Sequence, residues 1–381
     1  MQAPAAETPF HRLALRHPAG ETPVLVGSGA LAKGAGELAT WLAGRTVFLL
    51  STPRVLDLHG TRLEPLWRAA GRWDVLAVEE GEAAKTPATA ERLWSEMLAA
   101  GGKRDSRLLA FGGGSAGDLG GFVAGCFLRG IAYAQLPTTL LAQVDAALGG
   151  KTGVDLPGGK NTVGLFHHPD FVLADTAVLA TLPRAELCSG LVEVVKMGAL
   201  LDAGLFAAVE TDLDRLLAGD SAALTPVVAR AAAAKIGVVE RDPGERDERR
   251  LLNYGHTLGH AIEAALGYAG LRHGEAVAYG ILFALRLAER LDGAAVGAPP
   301  LPAEAAARTR ALLARLGLPP LPPLDPDVLL PLLARDKKAR EDGLAWVLPA
   351  ALGSGRIVEE VPPEEVRGAL VPFLADPFAP L

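Results

Sequence analysis

Along the first half of the chain, short runs of β-branched and apolar residues alternate with stretches of helical character, and this alternation limits the fold more than any other feature. Val24–Gly27, Thr46–Leu50, Val75–Val78 and Arg107–Phe111 read as strands, and intervening segments such as Thr89–Ala100 read as helices. Strands and helices in strict succession predict a parallel sheet covered by helices. From about Pro183 the character changes, and helical patterns dominate over Glu186–Leu201, Ala222–Val239, Leu258–Leu266 and Glu275–Leu291. The expected architecture is therefore an α/β domain over residues 1–182 and a mostly α-helical domain over residues 183–381. Pro-rich stretches at Ala298–Pro302 and Leu318–Pro326 read as loops between helices, and the tail after Phe373 as a loosely held end.

Composition sets the outer bounds. Half of the 381 residues are apolar and 21% are charged, which fits a soluble globular protein in which each half can bury its own core. A net charge of -7 argues against general nucleic-acid binding, yet permits an anionic substrate if cations gather in one cleft. The two cysteines, Cys126 and Cys188, make neither a disulfide framework nor a Cys-type zinc site and suit a reducing cytoplasm. Met1–Gly20 lacks the apolar core of a signal peptide, and no uncharged apolar run reaches the ~18 residues of a membrane span.

The first motif is Phe111-Gly-Gly-Gly-Ser-Ala-Gly-Asp-Leu-Gly-Gly-Phe122, placed between a predicted strand and a predicted helix. Gly112, Gly114 and Gly117 satisfy G-x-G-x-x-G, a spacing that lets the backbone and a helix N-terminus approach a pyrophosphate. The acid expected ~20 residues further on is missing, and Asp118 sits inside the loop instead. By itself this pattern also describes a tight strand–helix turn. The second motif joins Pro137–Asp145, Gly149-Gly-Lys-Thr-Gly153 and Gly158-Gly-Lys-Asn161. It is not a Walker A loop, because the required first glycine would fall on Asp145. Two lysines that each follow a glycine pair nonetheless suit a phosphate or carboxylate, although exposed loops with solvated lysines look the same.

In Gly190-Leu-Val-Glu-Val-Val-Lys196, Glu193 and Lys196 are three apart and share a helix face, as an ordinary helical ion pair also would. The densest signal is Arg249-Arg-Leu-Leu-Asn-Tyr-Gly-His256-Thr-Leu-Gly-His260-Ala-Ile-Glu263, followed by His273-Gly-Glu-Ala-Val277. His256 and His260, at i and i+4, lie on one helix face, compatible with metal binding by imidazole. Thr257 disfavours an H-E-x-x-H protease. Two of the three histidines with Glu193 would make a three-ligand centre with an open position, and spacing alone does not choose which two.

Taken together, these motifs resemble the dehydroquinate synthases in order and spacing over nearly the whole chain. Gly81-Glu-Ala-Ala-Lys-Thr86 and Asp336-Lys-Lys338 are similar to that family's early nucleotide-contact and late phosphate-contact segments. The resemblance implies a Rossmann-like NAD-binding domain followed by a helical metal- and substrate-binding domain. It implies that Glu193, His256 and His273 bind a divalent metal, zinc or cobalt, and that His260 touches substrate phosphate. Glu82, Lys85, Gly114, Asp118, Thr138 and Thr139 would hold NAD, with Lys151 and Lys160 nearby. Asp145, Lys151, Lys160, Asn161, Lys196, Lys235, Arg249, Asn253 and Lys337 would surround the substrate. Arg129 would reach the phosphate from a neighbouring subunit, which implies a homodimer. Three departures stand out: Ser115 where valine is usual after the glycines, Pro183-Arg-Ala-Glu186 where Pro-x-Arg-Glu is common, and Asp155 in place of a common asparagine.

The activity so implied is the cyclisation of 3-deoxy-D-arabino-heptulosonate 7-phosphate to 3-dehydroquinate and phosphate, the second step of the shikimate pathway. Within one turnover NAD would take a hydride, phosphate would leave by elimination, the hydride would return, and an intramolecular aldol step would close the carbocycle. Seven proposed cations would balance a substrate carrying about three negative charges. Cyclases acting on other sugar phosphates lack a substrate carboxylate and have less use for Lys235, Arg249 and Asn253 together. An amino-dehydroquinate synthase and a metal-dependent polyol dehydrogenase of the same fold are the remaining alternatives, with a non-enzymatic descendant the least favoured.

Overall fold

The computed structural model describes residues 10–291, 300–338, 345–359 and 361–380, apart from the side chains of 334–338. The strands are β1 (His11–His17), β2 (Gly20–Gly27), β3 (Thr46–Ser51), β4 (Arg72–Ala77), β5 (Arg107–Gly112), β6 (Ala132–Pro137), β7 (Lys151–Leu156), β8 (Gly159–Phe166), β9 (Phe171–Asp175), β10 (Ala345–Ala351) and β11 (Ser354–Glu359). Seven of them form one sheet in the order β1-β2-β9-β6-β5-β3-β4. All neighbours in it are parallel except the edge pair β1–β2. Val47–Leu50 and Leu108–Phe111 are buried on both faces, as continuous apolar runs at the centre of a helix-covered sheet must be. From β3 the chain runs outward to β4 and returns on the other side as β5, so the strand order reverses between β3 and β5. Open α/β sheets bind ligands beyond the strand ends at such a reversal.

The glycine run after β5 opens the helix Gly114–Cys126. Its later glycines let the helix lie close on β5 and on β7: a Cβ at Gly120 would stand 2.8 Å from the Ala110 Cβ, and one at Gly121 would stand 2.3 Å from Thr152. Phe48, Leu50, Leu108, Ala110, Leu119 and Val123 are the centre of the resulting core.

Contacts divide the chain into two compact units: residues 1–183 with 218–243, and residues 184–217 with 244–381. The sequence reading placed Ala222–Val239 in the second, helical half. In the structure this helix, Ser221–Arg241, packs on β1 and β2 and belongs to the first unit. By length and composition it is also the one described helix apolar enough to cross a membrane, but its most apolar window is 67% buried in the protein.

The second unit is built on the helices Arg184–Leu201 and His273–Arg290, with every residue from Leu187 to Leu200 in the former and from Gly274 to Ala288 in the latter buried. Absent side chains let their backbones meet. A Cβ at Gly274 would stand 2.2 Å from the Ser189 carbonyl oxygen, and one at Gly280 1.8 Å from that of Gly255. Gly255 has φ 77, a left-handed conformation suited to glycine, and directly precedes the helix His256–Ala265.

Two features differ from the sequence reading. β7–β8 and β10–β11 are antiparallel hairpins, where loops and helices were expected. The helix Pro363–Ala375 continues past Phe373, and the carbonyl of Asp376 accepts a hydrogen bond from buried Arg286, which ties down the start of the tail. Of the expected proline loops, 298 and 299 lie outside the described residues, while Leu318–Asp325 is irregular as anticipated.

Gly280→Ala forces two backbones apart and should lower stability by about 1–3 kcal/mol. Gly36→Ala, where a Cβ meets nothing within 4 Å, should leave it nearly unchanged. Thermal melts of both variants check this, and equal melting temperatures would refute the packing account.

Candidate functional site

Glu193 lies on the buried face of Arg184–Leu201, and His256 and His273 are the first residues of their helices. The Glu193 Oε1 atom stands 3.7 Å from Nε2 of His256 and 3.7 Å from Nε2 of His273. Among the described residues Oε1 accepts no hydrogen bond, although Glu193 is only 1% exposed. Lys196, one helical turn on, forms an ion pair with the other oxygen, so the sequence-level pair exists but occupies only one side of the carboxylate.

Both imidazoles are oriented from behind. His256 Nδ1 donates to the Tyr254 carbonyl (3.1 Å) and His273 Nδ1 to Glu263 Oε2 (3.4 Å), which leaves each Nε2 lone pair facing Glu193. Burial, then the Lys196 charge, hold the His256 pKa well below its ordinary value, so this ring is neutral. Burial also acts to lower His273, but the Glu263 hydrogen bond and the Glu193 charge outweigh it and raise its pKa.

Three N/O ligand atoms within 4.8 Å of one another fit a divalent ion. Ligands at ~2.0–2.1 Å in a tetrahedral shell stand about 3.3 Å apart, close to the spacing observed. His260, Glu263 and His273 form a second group within 4.8 Å. Because Glu263 meets His273 at Nδ1, this group orients the first one.

In the first unit, Lys85 is 2% exposed and donates to Glu82 (3.1 Å), Asp118 (2.9 Å) and Asn161 (2.6 Å). Ser115 donates to the other Glu82 oxygen at 2.7 Å. Burial pushes the Asp118 carboxyl up to about 6 against the pull of Lys85. Burial also opposes ionisation of Glu82 and Lys85, yet their mutual attraction, with Asp118 acting on the lysine and Ser115 on the glutamate, keeps Glu82 low and Lys85 high. Asn161 takes the left-handed φ of 53 and donates its N–H to Asp155, which explains how an acid serves in that position.

Beside this cluster, the helix Gly114–Cys126 begins with no side-chain cap and no acid in its first turn, so its first N–H groups remain available to an anion. The Thr138 N–H bonds the Gly112 carbonyl, and Thr139 lies against Gly113. Glu82, in the short turn beyond the end of β4, places a carboxylate near the glycine loop from a segment that precedes it in sequence. An uncapped helix start after β5, at the sheet reversal, with an acid held against it by Ser115 fits a dinucleotide.

Asp145 sits in a π-helical turn, Ala142–Ala146, where its side chain and carbonyl both accept from Lys235. Gln143 holds this turn through the Pro137 and Asp175 carbonyls. Lys151 opens β7 and Lys160 lies on β8. Arg129 is exposed on a left-handed turn with φ 68. In the second unit Arg249 is buried and Asn253 donates to Glu245 at 3.4 Å. Lys337 falls in the helix Pro326–Lys338, and its side chain is outside the described residues. Sequence reasoning missed the Ser115–Glu82 bond and the backing of His256 by the Tyr254 carbonyl. The second carries no side-chain signal, and the first was visible only as an unexpected polar residue.

Comparison with known proteins extends this picture. The family model for the 3-dehydroquinate synthase N-terminal region matches residues 75–189, and that for the C-terminal region matches 190–339. A 3-dehydroquinate synthase of Symbiobacterium thermophilum is 42% identical over 352 residues, covering 91% of this chain and 96% of its own. Among solved structures, the 2-epi-5-epi-valiolone synthase of Streptomyces hygroscopicus, with NAD+ and Zn2+ bound, superposes with a TM-score of 0.82 at 30% identity. It covers 93% of this chain and 97% of that one. A 2-deoxy-scyllo-inosose synthase complexed with carbaglucose-6-phosphate, NAD+ and Co2+ also reaches 0.82, at 28% identity over 94% of this chain and 99% of that one. With both halves matched by the same family's models and a relative aligned almost end to end, the chain belongs to the 3-dehydroquinate synthase family.

Proposed function

We propose that the protein acts as a 3-dehydroquinate synthase, converting 3-deoxy-D-arabino-heptulosonate 7-phosphate to 3-dehydroquinate and phosphate. The observation that carries this reading is the buried Glu193 oxygen, without a donor among the described residues and facing two imidazole nitrogens, in a chain of this family. Glu193, His256 and His273 would hold the divalent ion, zinc or cobalt, with Glu263 and the Tyr254 carbonyl fixing the rings. Glu82, Lys85, Gly114, Asp118, Thr138 and Thr139, together with Lys151 and Lys160, would hold NAD. When bound, NAD supplies a hydride acceptor regenerated within each turnover, and the metal supplies Lewis acidity toward vicinal hydroxyls.

The chain's own part is position and charge. Lys151, Lys160, Lys196, Lys235, Arg249, Lys337 and Arg129 would offset about three substrate charges, despite a net protein charge of -7. The Lys235–Asp145 and Lys196–Glu193 pairs fix ammonium groups that would otherwise sample many rotamers, so less reorganisation is left for the reaction. Asn161, Asn253 and His260 would add directional hydrogen bonds to hydroxyl, carboxylate and phosphate. The functional division proposed is a NAD-binding domain over 1–182 and a metal- and substrate-binding domain over 183–381, with Ser221–Arg241 lending Lys235 to the former. We place the enzyme in the cytoplasm as a homodimer in which Arg129 serves the neighbouring subunit.

Incubated with the heptulosonate phosphate, the protein should release phosphate with no net NADH, and a chelator should abolish the release. NADH accumulation with simple polyols and no phosphate release would instead identify a dehydrogenase. His273→Ala should lose stoichiometric metal by elemental analysis, whereas His260→Ala should keep it; a His273→Ala protein that retains one ion per chain overturns the ligand assignment.

Metal affinity should fall on acidification. A proton and the ion compete for Nε2 of His273, and this pKa is raised, so the loss begins at a higher pH than for an ordinary histidine. His256, with its lowered pKa, does not compete in that range. Competition with a zinc-binding dye across pH 5.5–8 should show about one proton taken up per ion released; affinity independent of pH there would refute this.

A further inference from the structure

We infer that Ser115 is a positioning residue that acts through Glu82 and sets the preference for NAD over its 2′-phosphorylated counterpart. The inference rests on the proposed role of Glu82 as the carboxylate that meets the adenosine ribose.

Glu82 lies in a short turn after β4 with its side chain 39% exposed, and within that turn Lys85 holds one of its two oxygens. Its two oxygens are claimed separately: Oε1 by Lys85 Nζ at 3.1 Å and Oε2 by the Ser115 hydroxyl at 2.7 Å. The lysine alone cannot set the rotamer, because its ammonium is shared with Asp118 and Asn161. Ser115 sits in the first turn of Gly114–Cys126, beside the N–H groups offered to the pyrophosphate, so one rigid element registers both ends of the adenosine half of the cofactor. A valine at this position, as the family resemblance leads one to expect, has no proton to donate.

Each carboxylate oxygen has about two lone-pair sites, so Oε2 still has room for a ribose hydroxyl after accepting from Ser115. Lys85 and Ser115 also favour the ionised carboxylate against its burial. A fixed anion at that point accepts from a 2′-hydroxyl and repels a 2′-phosphate. Without the hydroxyl, Glu82 keeps its charge but can swing away, which weakens the first interaction and relaxes the second.

The test is calorimetric titration of the full-length, zinc-loaded protein with NAD and with NADP. Ser115→Ala and Ser115→Val should each weaken NAD about tenfold, the size of one lost hydrogen bond to a charged group, while NADP binding changes little and the preference narrows. Ser115→Thr should restore the wild-type value. Added to Glu82→Gln, Ser115→Ala should cost almost nothing further, because both changes break one pathway. Wild-type NAD affinity in Ser115→Ala, beside a weakened Glu82→Gln, would overturn this inference alone; so would a serine effect that adds in full to that of Glu82→Gln. Wild-type affinity in Glu82→Gln would overturn the ribose assignment itself, and the role of Ser115 with it.

Discussion

The candidate metal centre depends on two contacts in which side chains take no part. Gly274 lies on the Ser189 carbonyl and Gly280 on that of Gly255. The Gly274 N–H also donates to the Ser189 hydroxyl at 3.0 Å, which sets the register between the two longest buried helices of the second unit. Interior packing is dense and deforms little, so a methyl group here would displace a whole helix rather than a side chain. His273 begins the helix so pinned, Glu193 is one turn beyond Ser189 on its partner, and His256 directly follows Gly255. The segments carrying Glu193, His256 and His273 are thus located by backbone contact.

Charge in the first unit is arranged by the opposite device. Lys85 is buried among Glu82, Asp118 and Asn161, so the location of each group depends on the others. Removing one partner from such a cluster exposes the desolvation cost of those remaining, which is why a buried ionic network specifies geometry more reliably than it adds stability. The cluster meets an uncapped helix start through the Ser115–Glu82 hydrogen bond.

Much of this was legible in the sequence because burial leaves periodic marks. Val47–Leu50 and Leu108–Phe111 had to be apolar at every position, and that pattern has few readings other than central strands. The helices carrying Glu193, His256 and His273 were read to within a few residues for the same reason. The β7–β8 hairpin was not legible: Gly159–Phe166 is largely exposed on both faces and so lacks the alternation of a half-buried strand. The π-helical turn at Asp145 was equally hidden, since Gln143 fixes it through carbonyls distant in sequence. Spacing alone could not choose between His256, His260 and His273, because the choice depends on how one helix lies against another. The spacing rule looks for an acid after the glycine loop and finds none; Glu82, named only through the family resemblance, stands before the loop in sequence and reaches it through the Ser115 hydroxyl.

The excursion of the helix Ser221–Arg241 bears on how the protein emerges from the ribosome. Its apolar face covers β1 and β2, so the first unit is complete only when residue 243 is available, after the chain has already entered and left the second. Neither unit is a contiguous stretch, and domain-by-domain folding in the order of synthesis is closed to this chain. A nascent chain stopped near residue 182 would hold all seven strands of the sheet but not the helix that covers β1 and β2, and so would leave apolar surface bare.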